Sequence, residues 1–226
     1  MKKRKIMKIL IILFIILCVY SNFFEVKEQI KKDNNINTNK ITDSKNNKWN
    51  LLLVNKENPL PEDYKVNTIE LSNGEKVDAR IYPELQKMFD DMRSNGIYPV
   101  VTSGYRTHQM QTKIMNDKIN EYKRNGYSDV ASKEMALKWV ALPGTSEHEL
   151  GLALDINNDG ISSSASDVYN WLLNNSYKYG FIKRYPDDKV DITGINNEPW
   201  HYRYVGINEA KEMYENNLCL EEYLNK

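Results

Sequence analysis

Between Trp49 and Val205, short apolar runs and helical periodicities follow one another, but never in the strand, long helix, strand rhythm of a parallel sheet. Leu85, Met88, Phe89 and Met92 recur at i, i+3, i+4 and i+7. This predicts a helix over 83–95, with Pro83 near its start and Gly96 just past its end. Residues 98–102 read as a strand, 107–124 as a helix closed by Asn125-Gly126, and 128–140 as a third helix. A short strand is expected over 152–156. A helix over 166–178 follows, with Val168, Trp171, Leu172 and Tyr179 on its apolar face, then a strand over 201–205 and a helical tail from Asn208. The expected fold class is α+β, a small antiparallel sheet with flanking helices.

The patterned part starts late. Lys2, Lys3, Arg4, Lys5 and Lys8 precede an uncharged run from Ile9 to Tyr20, which Phe23 and Phe24 extend. A basic flank before such a run is a secretory signal or an uncleaved anchor with its positive end in the cytoplasm. No small-x-small cleavage pattern follows, which favours an anchor over 1–24, and Leu17 argues against lipid attachment at Cys18. Residues 25–48, polar and rich in Asn, Lys and Asp, read as a flexible tether to a domain over 49–226. That arrangement places a single-pass protein in the cell membrane with its domain outside, or a secreted one if the segment is cleaved. Lys+Arg and Asp+Glu balance at 31 each, so no global field attracts nucleic acid. Cys18 and Cys219 make no disulfide framework. A monomer is expected.

Histidine is scarce, with only His108, His148 and His201. His148 lies in Pro143-Gly-Thr-Ser-Glu-His-Glu-Leu-Gly-Leu-Ala-Leu-Asp155, and His201 in Glu198-Pro-Trp-His-Tyr-Arg-Tyr-Val-Gly206. On one regular strand His148 and Asp155 would face opposite ways, so they converge only if the chain bends, and Gly151 permits that. Two histidines and an aspartate with an open fourth position form a catalytic zinc set, in which the metal acidifies a water and polarises a carbonyl. Glu198, held in a turn by Pro199, suits the general base. Glu147 and Glu149 are rivals that read as solvated. In Ser103-Gly-Tyr-Arg-Thr-His-Gln-Met-Gln111, Arg106 offers a fork of donors to a carboxylate or an oxyanion, or else pairs with an acid at the surface. His108 is placed on the exposed side of its helix.

Together, Ser-Gly-Tyr-Arg, Ser-x-His-x-x-Gly-x-Ala-x-Asp and Glu-Pro-Trp-His-Tyr-Arg-Tyr-Val-Gly resemble the VanY-type D-alanyl-D-alanine carboxypeptidases. Their fold group includes lysostaphin-type enzymes and hedgehog signalling domains, and the match runs from about Leu51 to Gly206. The resemblance implies a hedgehog-like, D-Ala-D-Ala-peptidase-like fold and a zinc cofactor held by His148, Asp155 and His201. It makes Glu198 the base and gives Arg106 the oxyanion or scissile carbonyl. Gln111 and Ser146 would hold the substrate's C-terminal residue, while Tyr105 and Trp200 would shape the pocket. The implied reaction removes the terminal D-alanine from peptidoglycan stem peptides. Alternatives are an L,D-carboxypeptidase acting on tetrapeptide stems, or a metal-binding wall module without catalysis. Tyr105, Trp139, Trp200 and Tyr202 crowd the motifs, which favours a confined apolar pocket and the D,D bond.

Overall fold

Two antiparallel sheets organise the domain. The computed structural model describes residues 48–225, and contacts divide the chain into units 1–48 and 49–226. The expected anchor over 1–24 and nearly all of the tether lie outside the described residues. Among the described residues, no helix is long and apolar enough to cross a membrane.

A small hairpin comes first, β1 (Thr68–Glu70) with β2 (Lys76–Asp78). Helix α1 (Tyr82–Ser94) follows, with a proline in its first turn and the expected Leu85, Met88, Phe89 and Met92 buried. After β3 (Pro99–Ser103) come α2 (His108–Arg124) and α3 (Asp129–Leu137). The side-chain oxygens of Thr107 and Ser128 cap these two helices, each accepting a backbone N–H of the first turn. β4 (Ala153–Asn158) leads to α4 (Ala165–Asn175), which opens with a capping box between Ser164 and Asp167. β5 (Phe181–Lys183), α5 (Val190–Thr193), β6 (His201–Tyr204), α6 (Ile207–Glu215) and α7 (Leu220–Leu224) complete the chain.

The larger sheet has the order β3-β4-β6-β5, antiparallel throughout. Side chains alternate across it. Val101, Leu154, Ile156 and Tyr202 belong to the core, together with Leu85, Met88 and Met92 of α1 and Val168 and Leu172 of α4. Full burial of each such aliphatic side chain contributes about 1.5–3 kcal/mol. Asp155, His201 and Arg203 alternate with these residues along β4 and β6 and so occupy the opposite face.

Two elements went unread in the sequence, and one helix is shorter than expected. The hairpin was not foreseen, because its strands are only three residues long and mostly polar. Strand β5 was also missed. The helix expected to reach Lys178 stops at Asn175 and tightens into a 3₁₀ turn over Ser176–Tyr179 that Gly180 closes at φ +84°.

Candidate active site

Strand register places the first two residues of the site. Asp155 of β4 sits directly opposite His201 of β6, and cross-strand partners share a face. On its other side Asp155 pairs with Ser103, although Val101 pairs with Ile156. A bulge between Val101 and Ser103 supplies the extra residue. One row across the sheet therefore reads Ser103, Asp155, His201.

His148 arrives from outside the sheet, on a 3₁₀ turn over Glu147–Leu150 that ends at Gly151 with φ +72°. A Cβ at Gly151 would lie 3.0 Å from Val66 Cγ2 and 3.2 Å from the Asp78 amide nitrogen, so this bend needs glycine for both its dihedral and its space. The expected bend at Gly151 is what brings His148 beside Asp155.

The candidate donor atoms of His148, Asp155 and His201 all lie within 4.8 Å of one another. Asp155 Oδ1 is 3.4 Å from His148 Nε2 and 3.3 Å from His201 Nδ1, and the two rings stand nearly perpendicular. His148 Nδ1 lies 2.8 Å from the Gly104 carbonyl, which can only accept. Nδ1 therefore carries the proton, and Nε2 presents its lone pair to the site. Asp155 Oδ2 accepts a 2.7 Å bond from Arg106, but Oδ1 is buried without a hydrogen-bond partner. An orphaned carboxylate oxygen facing two imidazole nitrogens suits a cation, and this donor set suits zinc.

Charge around these groups is uneven. Burial, reinforced by Arg106, pushes His148 down to about 4, so it is neutral at physiological pH. Burial also opposes the charged forms of Asp155 and His201, but their mutual attraction wins. His148 and His201 hold Asp155 well below the usual carboxylate range, while Asp155 and Glu198 raise His201 to about 9.

Glu198 is buried, with Oε2 3.4 Å from His201 Nδ1, and its backbone is fixed by N–H donation to the Tyr185 carbonyl. Arg106 is locked in place, donating from Nε to Ser103 Oγ, from Nη1 to Gln111 Oε1 and from Nη2 to Asp155. It does pair with an acid, but inside the site rather than at the surface. The Gln111 amide is engaged at both ends, since its nitrogen donates to the Ala141 carbonyl.

These groups line a cleft of about 470 Å³ together with Ser146, Trp139, Trp200 and Tyr185. Tyr185, not foreseen, lies 4.8 Å from the His201 ring. Gln111, Ile114, Lys118 and Tyr122 extend one wall along α2, a helical spacing that could have been read outward from Gln111.

Two of the aromatic residues expected near the pocket lie elsewhere. Tyr202 faces the core, on the side of the sheet opposite His201. Tyr105 lines a neighbouring hollow with Leu60, Tyr64 and His108. Its amide bonds to the Lys76 carbonyl, against which Gly104 packs so tightly that a Cβ there would come within 2.1 Å. The missed hairpin thus supports the glycine whose carbonyl sets the His148 tautomer. His108 is exposed as expected and pairs with Glu149 at 3.2 Å.

Glu147 and Glu149 are buried, not solvated. Glu149 accepts from the Gly144 amide as well as facing His108. Glu147 Oε1 accepts from Arg184 Nε at 2.9 Å, and Arg203 Nη1 lies 2.9 Å from the same oxygen. Burial would raise the Glu147 carboxyl, but the two guanidiniums hold it below its usual range.

The VanY family of D-alanyl-D-alanine carboxypeptidases matches residues 74–207. A curated D-alanyl-D-alanine carboxypeptidase of Enterococcus faecalis is 58% identical over 177 residues, covering 78% of this chain and 66% of that protein. The solved structure of VanYB in complex with D-alanine-D-alanine has 58% identity and a TM-score of 0.78, covering 79% of this chain and 98% of that one. A vancomycin-resistance D,D-pentapeptidase VanY in complex with Zn(II) has 58% identity and a TM-score of 0.77, covering 78% and 99%. The fold is therefore that of the D-Ala-D-Ala peptidases, and the chain belongs to the VanY family of zinc carboxypeptidases.

Proposed function

We propose that this chain is a zinc-dependent D-alanyl-D-alanine carboxypeptidase that removes the terminal D-alanine from peptidoglycan stem peptides. The observation that carries the reading is Asp155 Oδ1, buried, unpartnered and facing His148 Nε2 and His201 Nδ1. The D,D bond is supported by the relatives at 58% identity, one of them solved with D-alanine-D-alanine.

His148, Asp155 and His201 would hold the zinc ion, which when bound would supply Lewis acidity toward a carbonyl and a water. Glu198 accepts the proton that water loses as its oxygen bonds to the carbonyl carbon, then delivers it to the departing nitrogen as the C–N bond breaks. The developing oxyanion is stabilised by Arg106, whose guanidinium is already oriented by Ser103, Gln111 and Asp155. Ser146 and the second N–H of Gln111 receive the substrate's terminal carboxylate, and Trp139 and Trp200 confine the alanine methyl groups.

Defined stem peptides test this by mass analysis. The pentapeptide gives D-alanine and the tetrapeptide, a chelator stops the reaction, and added zinc restores it. Faster cleavage of the tetrapeptide would establish an L,D enzyme instead, and no cleavage of either peptide with zinc present would leave only a binding module.

The membrane assignment rests on the basic cluster Lys2–Lys8 and the apolar run Ile9–Tyr20. Protease added to wall-stripped intact cells is expected to release a soluble, active fragment cut within 25–48. A fully protected domain would place it inside the cell and remove peptidoglycan as substrate.

A further inference from the structure

Glu147 is a buried carboxylate to which the proposed reaction gives no task. Its two oxygens have different surroundings. Oε1 takes both guanidiniums, accepting from Arg184 and lying beside Arg203. Oε2 is buried with no hydrogen-bond partner and lies 3.9 Å from His201 Nε2, which is also buried and unpartnered.

Two buried, unpartnered polar atoms 3.9 Å apart are costly to both sides unless a hydrogen bond joins them. His201 offers Nδ1 to the metal position, so a neutral ring must carry its proton on Nε2, where a carboxylate is the fitting acceptor. Two arginines hold that carboxylate in place. Arg184 spans from Glu147 to Glu221 of α7, donating to both oxygens of Glu221. Arg203 ties the cluster to the carbonyls of Asn50 and Leu52.

We propose that Glu147 is the positioning residue for His201, accepting Nε2–H so that Nδ1 is held toward zinc. The inference rests on the zinc-site reading above. Glu147 touches neither metal nor substrate in this role. It fixes the tautomer and ring plane of a ligand, as the Gly104 carbonyl does for His148.

The test measures zinc affinity by competition with a chromophoric chelator, alongside the melting temperature of the metal-free protein and the visible spectrum of the cobalt(II)-substituted form. Glu147→Gln puts amide N–H groups where an acceptor is needed. It is expected to weaken zinc binding about 10–100-fold and to shift the cobalt bands. Glu221→Gln removes a carboxylate from the same cluster without touching His201, so it lowers the melting temperature and leaves zinc affinity unchanged.

Wild-type affinity in Glu147→Gln overturns the proposal, whether or not turnover falls, because turnover lost with zinc retained would mark a proton-transfer role. Equal weakening in both variants also overturns it, reducing the cluster to scaffolding. Should Glu147→Gln fail to fold, Glu147→Asp keeps a carboxylate by the arginines but draws it a methylene back from His201, and its zinc affinity decides in the same way. A wild-type protein that binds no zinc would sink the site reading itself.

Discussion

Glu198→Ala is expected to keep one zinc per chain while D-alanine release from the stem pentapeptide falls about 10²–10⁴-fold, the usual cost of losing a positioned general base. The backbone of Glu198 is set independently of its carboxylate, by donation to Tyr185 and by its carbonyl accepting from the His201 amide. Truncation therefore leaves His201 where it is. The three remaining donors around the metal position are untouched, so metal content and turnover separate. Zinc analysis of the purified variant beside its turnover number checks this. A variant stripped of zinc would show that Glu198, only 3.4 Å from His201 Nδ1, is itself a ligand.

His201→Ala has the opposite signature, with zinc lost and D-alanine release at background. The change removes one of three donors and leaves Asp155 Oδ1 facing His148 alone. It also empties the space against Tyr185. A two-donor site no longer competes with water and buffer for zinc. Zinc content after dialysis, with circular dichroism to confirm the fold, checks the outcome. A metal-free but fully active His201→Ala protein would end the zinc reading.

The grouping of His148, Asp155 and His201 was legible because each part of it is written locally. His148 and Asp155 share one segment with Gly151 at the bend, and Glu198 and His201 share a turn fixed by Pro199. The helix over 83–95 was legible because four core residues hold strict helical spacing. The hairpin was not, since Thr68–Glu70 and Lys76–Asp78 are three residues each and Val77 is their one buried apolar residue, although Asn73-Gly74 between Ile69 and Val77 is a turn signal. The Ser164 and Asp167 capping pair likewise marked the start of α4 at Ala165, one residue ahead of the expected Ser166.

Glu147 was misjudged for a physical reason. A glutamate flanking a ligand looks solvated until the charges that desolvate it are known, and Arg184 and Arg203 reach it only through the β5–β6 pairing. The bonds of Gln111 to Arg106 and Ala141, and the place of Tyr105 in the neighbouring hollow, were similarly hidden, because they depend on tertiary contacts that no motif spells out.

Sheet register and one glycine bend bring His148, Asp155 and His201 together, with the Glu198 carboxylate beside them. Anomalous diffraction at the zinc edge from crystals of the zinc-loaded protein locates the metal. One peak is expected, about 2.0–2.2 Å from His148 Nε2, Asp155 Oδ1 and His201 Nδ1, with the Glu198 carboxylate outside bonding distance. A peak bonded to Glu198 as a fourth protein ligand, or one centred away from these three residues, would overturn the proposed zinc site.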